Sequence, residues 1–130
     1  MFGYENKNVG TNGENIAVKF LIDIGYSILD RNYSKKYGEI DIIAKKDGII
    51  HFIEVKTIQK ERPVSRENDD YEPEEKIDFY KKKKFARVIE AYLLDKRVSD
   101  DTEYQVDAIS IVLFKDGSKP VINYIEDIIL

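Results

Sequence analysis

With 130 residues, 42% of them hydrophobic and 35% charged, the chain reads as one soluble domain over residues 1–130, with a core that needs no staples and no segment of membrane-spanning length. The absence of cysteine excludes disulfides and thiolate zinc sites, and with no secretory leader at the N-terminus the expected home is the cytoplasm. A net charge of −4 opposes a nucleic-acid partner, yet residues 61–80 alone hold eight acids against three bases, which leaves the rest of the chain at +1.

In chain order, residues 1–10 are expected to form a polar arm. Thr11-Asn12-Gly13-Glu14 then fits a capping box, followed by Ile16, Ala17, Phe20, Leu21 and Ile24 at helical spacing and Gly25 as the stop. On that reading the Glu14 carboxylate reaches back to the amide of Thr11. Residues 26–33, YSILDRNY, alternate well enough for a first strand, and Arg31, Lys35 and Lys36 make its far end basic. Such charges belong either to a solvated loop or to a rim that touches phosphates. Gly38 allows a tight turn into the next strand.

Residues 38–56, GEIDIIAKKDGIIHFIEVK, hold two apolar runs separated by Lys45-Lys46-Asp47-Gly48. Asp-Gly between β-branched runs is a strong hairpin signal, because Gly supplies the positive φ of the tight turn. With Asp47 and Gly48 as the loop, Asp41 faces Glu54 and Glu39 faces Lys56. Alternation puts Asp41, Glu54 and Lys56 on one face. Two carboxylates directly opposite repel. Either a cation sits between them, as Mg²⁺ does with one or two carboxylates, or the face is solvated and Lys56 neutralises its neighbours. His51, the sole histidine, falls with Ile49, Ile53 and Val55 on the other face and reads as a core-side residue.

Ile40-Asp41, a hairpin, and Glu54-Val55-Lys56 together resemble the metal-site signature of the PD-(D/E)xK nuclease superfamily, which includes restriction endonucleases and Holliday-junction resolvases. With Gly13-Glu14, Gly25-Tyr26, Arg31-Asn32-Tyr33 and Gly38-Glu39 in front, the run resembles more closely the YraN-like family of uncharacterised bacterial proteins. The match is dense over residues 10–57 and looser over 81–124. The resemblance implies that Glu14 approaches the metal as an outer or additional ligand. Relatives commonly carry a basic residue directly after the EVKT-like segment, where this chain has Ile58.

After Thr57 the pattern breaks into a charged loop over residues 58–75 with two prolines. Pro73-Glu74-Glu75 suits a helix start, and the helix is expected to run to about Lys96 through Phe85, Val88, Ile89, Tyr92 and Leu93. Lys81 and Lys84 fall on its inward stripe. Lys81 is read as a nucleic-acid contact because similar proteins carry a lysine near that point. Residues 104–114 form a long β-branched strand interrupted by Asp107, read as a cap or loop partner and not a ligand. A turn at Lys115-Asp116-Gly117-Ser118 leads to a last strand over 121–125, and the apolar tail must pack or join subunits.

The expected fold is α/β, a mixed sheet flanked by helices in the order α-β-β-β-α-β-β, with a restriction-endonuclease-like core. The resemblance implies a Mg²⁺-dependent endonuclease, with Mn²⁺ as a substitute, acting on branched or otherwise structured DNA, and junction resolution would favour a homodimer. In it Asp41 and Glu54 hold the metal, the Val55 carbonyl and Glu14 assist, and Lys56 orients the attacking water. Arg31, Lys35, Lys36, Lys81 and Lys84 are the candidate phosphate contacts. The alternative is a catalytically silent nucleic-acid-binding or protein-interaction domain of the same fold.

Overall fold

The computed structural model describes residues 2–63 and 79–129. Its elements are α1 (Phe2–Asp23), β1 (Ser27–Lys35), β2 (Gly38–Lys46), β3 (Ile49–Lys60), α2 (Phe79–Asp95), β4 (Tyr104–Phe114) and β5 (Val121–Ile125). The order is the one the sequence implies. The strands form one sheet in chain order, β1-β2-β3-β4-β5. Neighbours are antiparallel except β3 and β4, whose parallel pairing from Ile50↔Tyr104 to Lys60↔Phe114 follows the crossover through α2.

Each helix covers one face. On the α2 side Ile40, Ile43, Ile50 and Phe52 pack with Phe85, Val88, Ile89 and Tyr92. On the α1 side Ala17 and Leu21 pack with Ile42, Ala44, Ile53, Ile109 and Ile111. Burying β2, β3 and β4 on both faces explains why they read as continuous apolar runs and not as alternating ones. Among the described residues no helix is long and apolar enough to cross a membrane.

Four expectations change. The helix begins at Phe2 and not after Thr11, so residues 2–10 are no loose arm and Glu14 lies in mid-helix without a capping task. Residues 2–10 contain no proline, so although Gly3 and Gly10 are weak helix formers nothing there breaks the backbone ladder as the helix extends backwards. Strand β3 runs to Lys60 and not to Thr57, because β4 offers a parallel backbone partner as far as Phe114. Gly38 has no positive φ; a Cβ there would lie 3.1 Å from Val88 Cγ2, so its lack of a side chain serves the close approach of α2. The expected helix start at Pro73 and the loop from 64 to 75 lie outside the described residues.

Both helices end as local signals require. Gly25, at φ 102°, donates to Ile22 O, and Tyr26 donates to Leu21 O, which closes α1 in a Schellman motif. Arg97, at φ 52°, takes the same place after α2, with Val98 N donating to Leu93 O. In the tail, Ile128 N donates to Val106 O at 2.7 Å and its side chain packs on the α2-side cluster, while Ile129 is exposed.

Candidate active site

The hairpin forms as its sequence dictates. Asp47 and Gly48 both have positive φ, 51° and 79°, as a type I′ turn requires. The register runs from Lys46↔Ile49 to Ile42↔Ile53. There the strands part: β2 continues on β1 as far as Gly38↔Lys35, and β3 continues on β4. Glu39 therefore pairs with Ser34 and Lys56 with Ser110, so Glu39 and Lys56 do not face each other as the arithmetic implied.

Asp41 sits in the crotch of this fork. Its Oδ2 accepts a hydrogen bond from Val55 N at 2.8 Å, taking the place of a main-chain partner. Ile40 and Ile43 pack on the α2 side while Ile42 and Ala44 pack on the α1 side, so side-chain alternation along β2 breaks at Asp41. The break is shared with β1, where Asn32, opposite Asp41 by register, has φ 52°. The expectation that Asp41, Glu54 and Lys56 share a face assumed unbroken strands. Along β3 alternation holds, with Phe52 on the α2 side and Ile53 and Val55 on the α1 side, which sets Glu54 and exposed Lys56 on the α2 side. Asp41 instead turns toward the β3 backbone.

Burial pushes the Asp41 carboxyl up to about 7; the Val55 amide opposes this, and the charges of Glu14, Glu54 and Glu39 add to it. Four carboxyl groups thus share one electrostatic neighbourhood. Glu14 is raised too, first by burial and then by Glu39, against the pull of Arg31 and a hydrogen bond from Asn32. It reaches this place because α1 lies directly on β3. A Cβ on Gly13 would stand 1.9 Å from Thr57 Oγ1. Gly13 is needed for this approach, which the capping reading of TNGE did not disclose.

The basic candidates are dispersed. Arg31 Nη2 turns onto α1, 2.9 Å from Asn15 Oδ1 and 3.9 Å from Glu14 Oε1. Lys35 turns the other way, to Asp95 at 2.9 Å, because the break at Asn32 reverses the strand's faces. Lys36 is exposed in the β1–β2 turn. Lys84 is exposed and not inward; its Cβ lies beside Gly38 while the longer stem leads to solvent. Lys81 lies in α2 by its backbone, and its side chain is outside the described residues.

Among the described residues no three His, Asp or Glu side chains stand together as a ready-made ion cage. The donors do suit a hard cation in kind. Two carboxylates and a main-chain carbonyl, with room left for water, are what Mg²⁺ takes, and a divalent charge offsets the carboxylate repulsion that adds to the effect of burial on Asp41.

A mixed sheet with a helix on each face, forked over a group of carboxylates, defines an α/β domain with an acidic notch. The chain belongs to the uncharacterised protein family UPF0102, whose family model matches residues 13–111. This is the YraN-like group, and the match spans every residue of the fork. The chain is 43% identical to a UPF0102 protein of Campylobacter hominis over 128 residues, covering 98% of this chain and 99% of that one. It is 47% identical to one of Campylobacter jejuni over 102 residues, 78% and 81% of the two chains. A Clostridium botulinum relative is 40% identical over 111 residues, 85% and 84%.

Proposed function

We propose that the chain is a metal-dependent deoxyribonuclease that hydrolyses phosphodiester bonds in branched or otherwise structured DNA at the β2–β3 fork. The observation that supports it most is the Asp41 carboxyl, held on Val55 N and surrounded by the fields of Glu14, Glu54 and Glu39. Asp41 and Glu54 would hold Mg²⁺ or Mn²⁺, with the Val55 carbonyl and Glu14 as further donors. When bound, the ion supplies an acidified water and offsets charge on the phosphate. The Val55 amide fixes the Asp41 carboxylate, leaving Oδ1 for the metal side. The Lys56 ammonium, two residues beyond Glu54 on the same strand face, orients the water and stabilises charge as the P–O bond to the leaving strand breaks. Arg31 holds Glu14 beside the fork until a substrate phosphate competes for it. A two-fold dimer would present two such forks to the paired strands of a junction.

A second reading, a silent nucleic-acid-binding or protein-interaction domain, is favoured by the lack of a three-donor group among the described residues and by the internal ion pairs of Arg31 and Lys35. Incubation with branched, duplex and single-stranded DNA in Mg²⁺ or Mn²⁺ separates the two. The nuclease reading expects cleavage that Asp41→Asn and Lys56→Ala both abolish. Cutting that survives in both variants comes from a contaminant and defeats it. Salt-sensitive binding without cutting supports the second.

A further inference from the structure

A second chemically equipped cavity, of about 260 Å³, opens by the hairpin turn, where Tyr26, Lys46, Asp47, His51, Gln105 and Glu126 line it. Beneath it lies Asp107, fully buried, whose carboxylate accepts from four groups: His51 Nδ1 at 2.6 Å, Tyr124 OH at 2.6 Å, Gln105 Nε2 at 2.9 Å and Asp127 N at 2.9 Å. These bonds fix the protons around it. The Tyr124 hydroxyl donates its hydrogen bond to Asp107, so in the 2.7 Å contact between the two phenols Tyr26 is the donor. A neutral imidazole that donates from Nδ1 leaves Nε2 as an acceptor. His51 is only 4% exposed, lines the cavity, and has no partner for Nε2 among the described residues.

The other groups facing the cavity follow the same pattern. Gln105 gives one amide N–H to Asp107 and keeps its carbonyl oxygen. Lys46 places one of its three N–H donors on Ile24 O at 2.9 Å and lies 5.2 Å from the centre of the Tyr26 ring. Asp47 and Glu126 are exposed at the mouth, and their charges, with that of Asp107, reach the Tyr26 phenol and help to raise it after burial. What remains for a ligand is two carboxylates, the Gln105 carbonyl and aromatic rings beside the single Lys46 ammonium, so that negative charge outweighs positive at the mouth. Such walls repel phosphate and favour a cation that donates N–H bonds.

We propose that this cavity binds an organic cation bearing N–H donors, either a free polyamine or the ammonium or guanidinium end of a Lys or Arg side chain in a peptide. The site is separate from the fork and does not rest on the nuclease reading. As the only histidine, His51 gives one imidazole signal in a proton–carbon NMR spectrum of the full chain. Spermidine, methylguanidinium and a short arginine peptide are each titrated against it. A saturable shift is expected, weakened roughly two- to five-fold by Glu126→Gln and by Asp47→Asn, both surface changes, the second keeping a residue that tolerates positive φ. Tighter spermidine assigns the free polyamine, and a tighter peptide assigns the side chain. No saturable shift, equal affinity in both variants, or a response to inorganic phosphate or Zn²⁺ alone overturns the proposal.

Discussion

Asn32 on β1 stands opposite Asp41 on β2, and the left-handed backbone at Asn32 coincides with the break in side-chain alternation at Asp41. The two irregularities cooperate. One reverses the faces of β1 and β2 so that Tyr33 and Ile40 pack under α2 while Arg31 turns to α1. The other frees the Asp41 carboxyl to take the Val55 amide where the strands separate.

Asn tolerates positive φ where residues with a larger Cβ penalty do not. Asn32→Ala is expected to lose about 1–2 kcal/mol of stability, and Asn32→Gly less, since glycine meets the backbone demand. Urea unfolding of the three proteins checks the order. Equal losses would show that the Asn32 side chain, through its bond to Glu14, matters more than its backbone.

Gly13→Ala places a methyl group onto Thr57. Overpacking of this kind costs about 1–3 kcal/mol and lifts Glu14 from the fork. Thr57→Ala removes the two nearest atoms, so the double variant should recover part of the loss. Thermal melts of the single and double variants test the coupling.

The pH dependence follows from Asp41. Its folded value, about 7, lies above the ordinary 3.8, so the folded state binds the proton more tightly than the unfolded one. The resulting stabilisation is complete below about pH 4 and is lost as pH rises through 7, a difference on the order of 4 kcal/mol. In chelator, wild type should therefore lose stability between about pH 4 and pH 7 relative to Asp41→Asn, which carries no such charge. Parallel stability curves for the two proteins would contradict this.

Asp107→Asn leaves one oxygen for four donors and turns an amide toward the rest. Buried donors without acceptors make this costly, about 3 kcal/mol or more. The midpoint of urea unfolding should fall accordingly, and the Tyr124 phenol, now raised by burial and by its bond to Asp107, should titrate at lower pH.

Much of this arrangement is local enough to be written in short stretches. Asp47-Gly48 sets the hairpin register, Phe85, Val88, Ile89 and Tyr92 set the buried face of α2, and alternation places His51 inward. The parts that escape reading depend on distant partners. Asp107 looks like an interruption in an apolar strand because its donors come from β3, β5 and the tail. Arg31 and Lys35 look like one basic rim because YSILDRNY gives no sign, other than an asparagine, that the strand turns over at residue 32. Gly13 serves β3, 44 residues away at Thr57, and so passes for part of a cap.

The most direct test is a crystal soaked in Mn²⁺ and read for anomalous density at the fork. The account predicts a peak between the carboxyl groups of Asp41 and Glu54, absent in Asp41→Asn. Density elsewhere on the chain with none at the fork would contradict it.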